Sequence, residues 1–216
     1  MKNKWPKILF WFFAVLPFLL SAGFYSRMPA TVATHFDASG APNGYTTRAE
    51  AAFGLPAFYL GITLLVFFLL KIDPKKDNIE RSPQLRAVAL WGIVLIGDLC
   101  QAAILLRAVN IRLNISAFVG VAVGLLFVGI GNYLPKCKPN YTMGIRLPWT
   151  LASEENWRKT HRFAGPLWVA GGILIALSSF LTSAQVFIIL AATLALSVVP
   201  AVYSYLLFRR ESGNKP

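Results

Sequence analysis

Residues 53–70 read FGLPAFYLGITLLVFFLL, a run without a single charged side chain. A helix needs about 20 mostly apolar residues to cross the hydrocarbon core of a bilayer, and an uncharged run of about 18 already qualifies. The apolar residues are continuous and do not alternate with polar ones, which is unlike the strands of a membrane β-barrel. We therefore predict that this stretch is a transmembrane helix.

The rest of the chain repeats this pattern. Of its 216 residues, 56% are apolar and only 14% are charged, whereas a soluble domain has about 25% charged residues. Six spans of about 20 residues leave no room for a sizeable soluble domain. We predict an all-α polytopic protein, with residues 1–216 forming a single membrane domain. The six predicted transmembrane helices are residues 8–25, 53–70, 87–106, 115–134, 166–181 and 184–208.

The basic residues indicate the orientation. Of the 21 Lys and Arg residues, 17 fall on one predicted side and four on the other. Because basic loops stay in the cytoplasm, this distribution predicts that both termini are cytoplasmic. It also explains the net charge of +12 without direct nucleic-acid binding. The first span follows three lysines as a secretory signal would, but its apolar stretch is long for a signal, which favours an uncleaved helix.

The predicted extracellular loop covers residues 26–52 and contains THFDASGAPNGY at residues 34–45. Asp37, Ser39 and Gly40 favour one turn, and Pro42-Asn43-Gly44 favours a second. His35 and Asp37 are too few ligands for a metal site. The loop is either a structural closure of the bundle or a receptor surface for something outside the cell.

The predicted cytoplasmic loop covers residues 135–165, with the sequence PKCKPNYTMGIRLPWTLASEENWRKTHRFAG. Ser153 followed by two Glu residues predicts the start of a helix, and Gly165-Pro166 predicts its end. Trp149 and Trp157 are interpreted as anchors of a short interfacial amphipathic helix. This helix either positions the fifth span or forms a protein-binding surface. By contrast, the charge-rich segment 71–86 is interpreted as a solvated connector.

Asp98 is the one acidic residue inside a predicted span, and Gln101 follows one turn later. A central charge is costly in lipid, so both side chains should face the bundle interior. Asp98 is either a proton relay, a ligand contact or a protonated hydrogen-bond donor. The sequence carries no hydrolase or nucleotide-binding motif. We expect no enzyme activity, no cofactor and no metal.

Four stretches resemble the SdpI family of bacterial membrane proteins: GNYLPK at residues 131–136, PNYTMGIRLPWTL at 139–151, SEENW at 153–157 and THRFAG at 160–165. The stretch PATVATHFDASGAPNGY at residues 29–45 resembles a small domain of unknown function that precedes this signature in many members. Together with the predicted spans, the resemblance covers nearly the whole chain.

The resemblance implies a protein of the bacterial cytoplasmic membrane that gives immunity to a secreted, SdpC-like antimicrobial peptide. It also implies a receptor that holds an ArsR-type repressor at the membrane. The implied toxin-side residues are His35, Phe36, Asp37, Gly40, Pro42 and Gly44. The implied cytoplasmic signature residues are Asn132, Asn140, Gly144, Arg146, Pro148, Trp149, Thr150, Glu155, Trp157, Thr160 and His161. The alternatives are a small proton-coupled transporter or peptide exporter that uses Asp98, and a purely structural membrane protein.

Overall fold

The computed structural model describes residues 5–37, 40–111, 114–181 and 185–213 and is mostly helical. It divides into two compact units, Met1–Phe67 with Leu90–Ala122 and Phe68–Ala89 with Val123–Pro216. The helices of the described residues are α1 (Trp5–Phe24), α2 (Leu55–Ile72), α3 (Lys76–Glu80), α4 (Pro83–Ala108), α5 (Ile115–Tyr133), α6 (Pro148–Ala152), α7 (Glu154–Ser178) and α8 (Gln185–Gly213).

Within the described residues, five helices are long and apolar enough to cross a membrane: α1, α2, α4, α5 and α8. Only 17% to 33% of the most apolar window of each is buried inside the protein. Most of their apolar side chains therefore face outward; Phe58, Leu125 and Phe187 are 62%, 61% and 75% exposed. Surfaces of this kind belong in lipid. The protein is a multi-pass membrane protein, and five of the predicted spans are confirmed as candidate membrane helices.

The segment predicted as the fifth span lies in α7, which is not among these five helices. Ser153 caps α7 as predicted, since its Oγ accepts the N–H of Asn156 at 3.1 Å. The predicted end at Gly165-Pro166 is wrong, because α7 continues through Pro166 to Ser178. A proline removes one backbone donor, but packing can hold the helix together around it. The short, separate interfacial helix is therefore the first half of one long helix.

The prediction of an all-α fold is wrong for residues 31–47. This segment is an antiparallel hairpin of β1 (Thr31–Phe36) and β2 (Pro42–Thr47). The predicted first turn is confirmed, since the Gly40 N–H donates to the Asp37 carbonyl at 3.0 Å and Gly40 has a φ of +80°. Ser39, the other residue of this prediction, lies outside the described residues. The predicted second turn at residues 42–44 is wrong, because these residues belong to β2.

The hairpin covers an apolar cluster in the first unit. Met28 and Val32 are 2% and 1% exposed and pack with Ala51, Ile104 and Leu105. Val32 of β1 therefore packs against the end of α4, and this contact holds the hairpin in place. A second cluster, built around Phe10, Ala14 and Val94, lies further along α1 and α4.

Candidate functional site

The hairpin holds its predicted toxin-side residues in a tightly constrained turn. Nδ1 of His35 lies 2.5 Å from Oδ1 of Asn43, and Oδ1 of Asp37 accepts the N–H of Ala41 at 3.0 Å. Gly44 pairs with His35 across the two strands. A Cβ on Gly44 would lie 2.8 Å from Cβ of His35, closer than real side chains approach. The structure therefore requires glycine at this position.

A pocket of about 420 Å³ lies beside the hairpin, and Arg107, which lines it, also lies over the ring of Phe36. The guanidinium carbon of Arg107 lies 5.9 Å from the ring centroid of Phe36. The lining residues are Pro29, Thr31, Val32, Ala33, Pro42, Tyr45, Arg107, Ala108 and Asn110. Sequence reasoning assigned Arg107 only to membrane topology and so missed its place in this pocket.

Asp98 and Gln101 lie on the buried side of α4, as predicted for polar groups within a span. They are 9% and 0% exposed. The amide of Gln101 donates to Ser21 Oγ at 2.8 Å and to the Ala51 carbonyl at 2.9 Å. Both carboxyl oxygens of Asp98 lack a hydrogen-bond partner among the described residues. Gln101 therefore links α1, α4 and the segment before α2, whereas Asp98 keeps unused hydrogen-bonding capacity.

The predicted cytoplasmic signature forms a folded loop around Asn140, which is fully buried. Its Oδ1 accepts the N–H groups of Thr142 and Met143 at 2.9 and 2.5 Å, and its Nδ2 donates to the Lys138 carbonyl at 2.8 Å. These bonds satisfy backbone groups that a buried loop would otherwise leave unpaired. Asn140 therefore organises the turn that begins the signature.

The segment 71–86, interpreted as a solvated connector, is packed against this turn. Asp73 is 4% exposed and its Oδ2 accepts the Tyr141 N–H at 2.9 Å and the Thr142 hydroxyl at 2.6 Å. Asn78 donates to the Pro139 carbonyl at 2.8 Å, and Ser82 accepts the Lys138 N–H at 3.1 Å. The connector interpretation is therefore wrong for its buried face. Sequence reasoning missed these residues because their partners lie more than 50 positions away.

Trp157 and His161 share a face of α7, as predicted, but that face points into the protein. Their rings stack with centroids 4.1 Å apart, and the residues are 1% and 0% exposed. Trp157 Nε1 donates to the Cys137 carbonyl at 2.8 Å. Gly144, with a φ of +93°, passes so close to both rings that a Cβ there would overlap His161 Nε2. Trp157 is therefore a core residue of this unit, and its prediction as an interfacial anchor is wrong.

Both ring nitrogens of His161 are occupied. Nε2 accepts the Ile145 N–H at 2.9 Å, so the ring proton is on Nδ1, which lies 2.8 Å from the Trp157 carbonyl. Burial lowers the pKa of His161 to about 4, although the bond to Trp157 opposes the shift. The imidazole is neutral at physiological pH. The thiol of Cys137 beside it is also neutral, since burial raises its pKa to about 12.

We expect acid to destabilise the protein through His161. The unfolded chain gains a proton on this residue as the pH falls through about 6.5, whereas the folded protein does not until about 4. The stabilisation is therefore complete above pH 6.5 and is lost between 6.5 and 4, by about 3 kcal/mol in total. Thermal denaturation of the purified wild type and of the His161→Gln variant, at pH values from about 4.5 to 7.5, measures this loss of stability. Equal losses of stability in the two proteins on acidification would contradict the prediction.

The end of the signature docks on α8. Trp149 Nε1 donates to Ser204 Oγ at 2.7 Å, and Asn156 Nδ2 donates to the Ser204 carbonyl at 2.9 Å. Thr160 donates to Asn156 Oδ1 at 3.1 Å. Thr150 Oγ1 accepts the Leu147 N–H at 2.8 Å, at the start of α6, where Pro148 is the first residue. Ser204, which no sequence motif indicates, thus accepts hydrogen bonds from both Trp149 and Asn156.

Five signature residues are exposed: Asn132, Gly144, Arg146, Pro148 and Glu155. Arg146 donates to the Tyr141 carbonyl at 2.6 Å. Glu155 pairs with Lys159 at 2.7 Å, as its spacing predicts, and each partner favours the charged form of the other: the pKa of Glu155 is lowered and that of Lys159 is raised. The signature therefore combines buried hydrogen-bonding groups that fix the loop with exposed residues around them.

Parts of the chain match known proteins. Residues 136–204 match the SdpI/YfhL protein family, and residues 12–60 match a domain of unknown function, DUF1648. The chain is 26% identical over 201 residues to "Immunity protein SdpI" of Bacillus subtilis (strain 168), covering 93% of this chain and 94% of that protein. No solved structure matches it. The folded loop and the helices it docks on thus coincide with the segment that matches the SdpI/YfhL family, and the hairpin lies within the segment that matches DUF1648.

Proposed function

We propose that this chain is a membrane immunity protein that protects its cell from a secreted antimicrobial peptide of the SdpC type. The observation that carries this proposal is the 26% identity to an immunity protein along 93% of the chain. The protein acts by binding the peptide and catalyses no reaction. The hairpin with its pocket is the toxin-side surface in this proposal.

The test is protection. A toxin-sensitive bacterium that expresses the chain should survive amounts of SdpC-type peptide that kill the same strain with an empty vector. Equal killing at equal membrane abundance would contradict immunity. The rival function, proton-coupled transport, is favoured by the buried Asp98 carboxyl, whose oxygens lack partners among the described residues. The Asp98→Asn variant separates the two: full protection contradicts transport, since the variant has lost the titratable proton.

We also propose that the signature loop reports to the cytoplasm by holding an ArsR-type repressor at the membrane. Arg146, Arg158 and Arg162 are exposed on a frame that buried hydrogen bonds hold in one arrangement. A basic surface of this kind favours an acidic patch on a partner. A peptide outside the cell can control repressor binding only if it binds two states of the protein with different affinities.

The proposed topology has six spans in one membrane domain, in the bacterial cytoplasmic membrane, with both termini in the cytoplasm. Support for α7 as the sixth span comes from its small residues. Gly165 and Gly172 lie against the backbone of α5, one of the candidate spans, and close contacts through small residues are typical of membrane helices. The uneven distribution of Lys and Arg supports the orientation.

We expect reporter fusions after Arg48 and after Arg146 to lie on opposite sides of the membrane, with Arg146 inside. A third fusion, at the end of α8, should also be inside. Alkaline phosphatase reports the outer position and green fluorescent protein the inner one. An outer location for the α8 fusion, with the other two as expected, would show that α7 does not cross and would reduce the spans to five.

A further inference from the structure

The pocket beside the hairpin has the dimensions of a ligand site. Its volume of about 420 Å³ falls within the range of about 300 to 1,000 Å³ of small-molecule pockets. One part of its wall is formed by the consecutive residues Thr31, Val32 and Ala33 of β1. Another part is formed by Arg107 at the end of α4 and by Asn110 just beyond it. Val32 is 1% exposed, so the wall that carries it is fixed by the core.

The charge of this pocket is uncompensated. Arg107 is the charged member of its lining, and no acidic residue among the described ones lines it. Within the described residues, no ion pair is recorded for Arg107. Arg107 lies over the Phe36 ring, which holds the guanidinium but accepts none of its N–H groups in a conventional hydrogen bond. A planar guanidinium with free donors is complementary to a carboxylate.

The remaining lining favours a peptide. Pro29, Ala33 and Pro42 are apolar, and Tyr45 is 59% exposed beside them. Within the described residues the sheet has two strands, so each strand has an outer edge that no described strand pairs with. An extended peptide can add to such an edge through its backbone, while pockets accept its side chains. A lipid headgroup would use the cation but not the strand.

We propose that this pocket binds the C-terminal end of an apolar peptide, with its carboxylate on Arg107 and its chain along β1. The choice of a peptide rests on the proposed immunity function, for which the pocket would be the recognition site.

The experiment uses the full-length protein in phosphatidylcholine nanodiscs. The probes are a rhodamine-labelled pentapeptide of valine and alanine with a free C-terminal carboxylate, and the same peptide as a carboxamide. Fluorescence anisotropy gives the dissociation constants, with empty nanodiscs as the reference for partitioning into lipid. The variant is Arg107→Gln. The matched control is Arg27→Gln, which removes an exposed arginine on the same predicted side that does not line the pocket.

We expect the carboxylate peptide to bind wild type and Arg27→Gln about tenfold more tightly than the carboxamide, and Arg107→Gln to bind both peptides equally weakly. Equal binding of the two peptides by wild type would overturn the proposal, whatever the variants do. So would displacement of the peptide by phosphatidylglycerol in an Arg107-dependent way, which would identify a lipid site. Carboxylate-dependent binding without protection in cells would retain the peptide site and reject the immunity function, so the two failures are distinguishable.

Discussion

The Trp157→Ala variant is expected to be about 3–5 kcal/mol less stable than the wild type. Under the proposed function, it should lose protection and repressor binding together. Trp157 is 1% exposed, stacks on His161 and donates to the Cys137 carbonyl. Its removal leaves a cavity, frees the His161 ring and strands a buried carbonyl. Thermal denaturation of the purified protein and immunoblots of membrane fractions measure the stability and the abundance.

Trp149→Ala is the matched control for this prediction. It removes the same side chain from the same loop, but Trp149 is only half-buried, against Ser204, Tyr205 and Phe208 of α8. We expect a smaller loss of stability and normal abundance. Trp157→Phe keeps the ring stacking and loses the bond to Cys137, so it should be intermediate. A Trp157→Ala protein as stable as the wild type would show that α7 is not held by this side chain.

The membrane helices were predictable because their signal is local. A run such as residues 53–70 is apolar by its own composition, and burial in lipid requires no contact with a particular distant residue. The structure places α2 at Leu55–Ile72, within two residues of that run. The hairpin was not predictable in the same way, because β1 and β2 pair with each other and lack a long apolar alternation. The turn at Asp37 and Gly40 was predictable because those residue types favour a turn without help from long-range contacts.

The candidate sites divide along the same line. Asn140, Trp157 and His161 were identified from the sequence, but their burial was not. The loop around Asn140 packs against Asp73 and Ser82 of a distant segment, and Gly144 lies against the rings of Trp157 and His161. That segment is rich in charge, which predicts solvent exposure on composition alone. Arg107 is a similar case, since its place in the pocket depends on the hairpin folding back on α4. Side chains whose roles come from long-range contacts have no local pattern to reveal them.

Four glycines carry the contact between α5 and α7. Gly124 and Gly131 on α5, and Gly165 and Gly172 on α7, are spaced by seven residues and so lie along one face of each helix. A Cβ on Gly124 would lie 2.6 Å from the Gly172 carbonyl oxygen, and one on Gly131 would lie 2.7 Å from the Val169 nitrogen. These neighbours are backbone atoms that cannot rotate away. The helices approach each other this closely only because no side chain stands between them.

The Gly124→Leu variant is therefore expected to separate α5 from α7 and to cost at least about 3 kcal/mol, since an added side chain here meets the α7 backbone at Gly172 and Ala176. Gly124→Ala should cost less, about 1–3 kcal/mol. The control is Gly61→Ala on α2, where nothing lies within 4 Å of an added Cβ. That variant should be neutral or slightly stabilising, because alanine favours a helix over glycine.

Unfolding of the detergent-purified variants, followed by circular dichroism during heating, ranks their stabilities. The expected order is Gly61→Ala at or above wild type, then Gly124→Ala, then Gly124→Leu. If Gly124→Leu is as stable as Gly61→Ala, close packing of α5 against α7 does not hold this unit together, and the glycine spacing has no structural explanation.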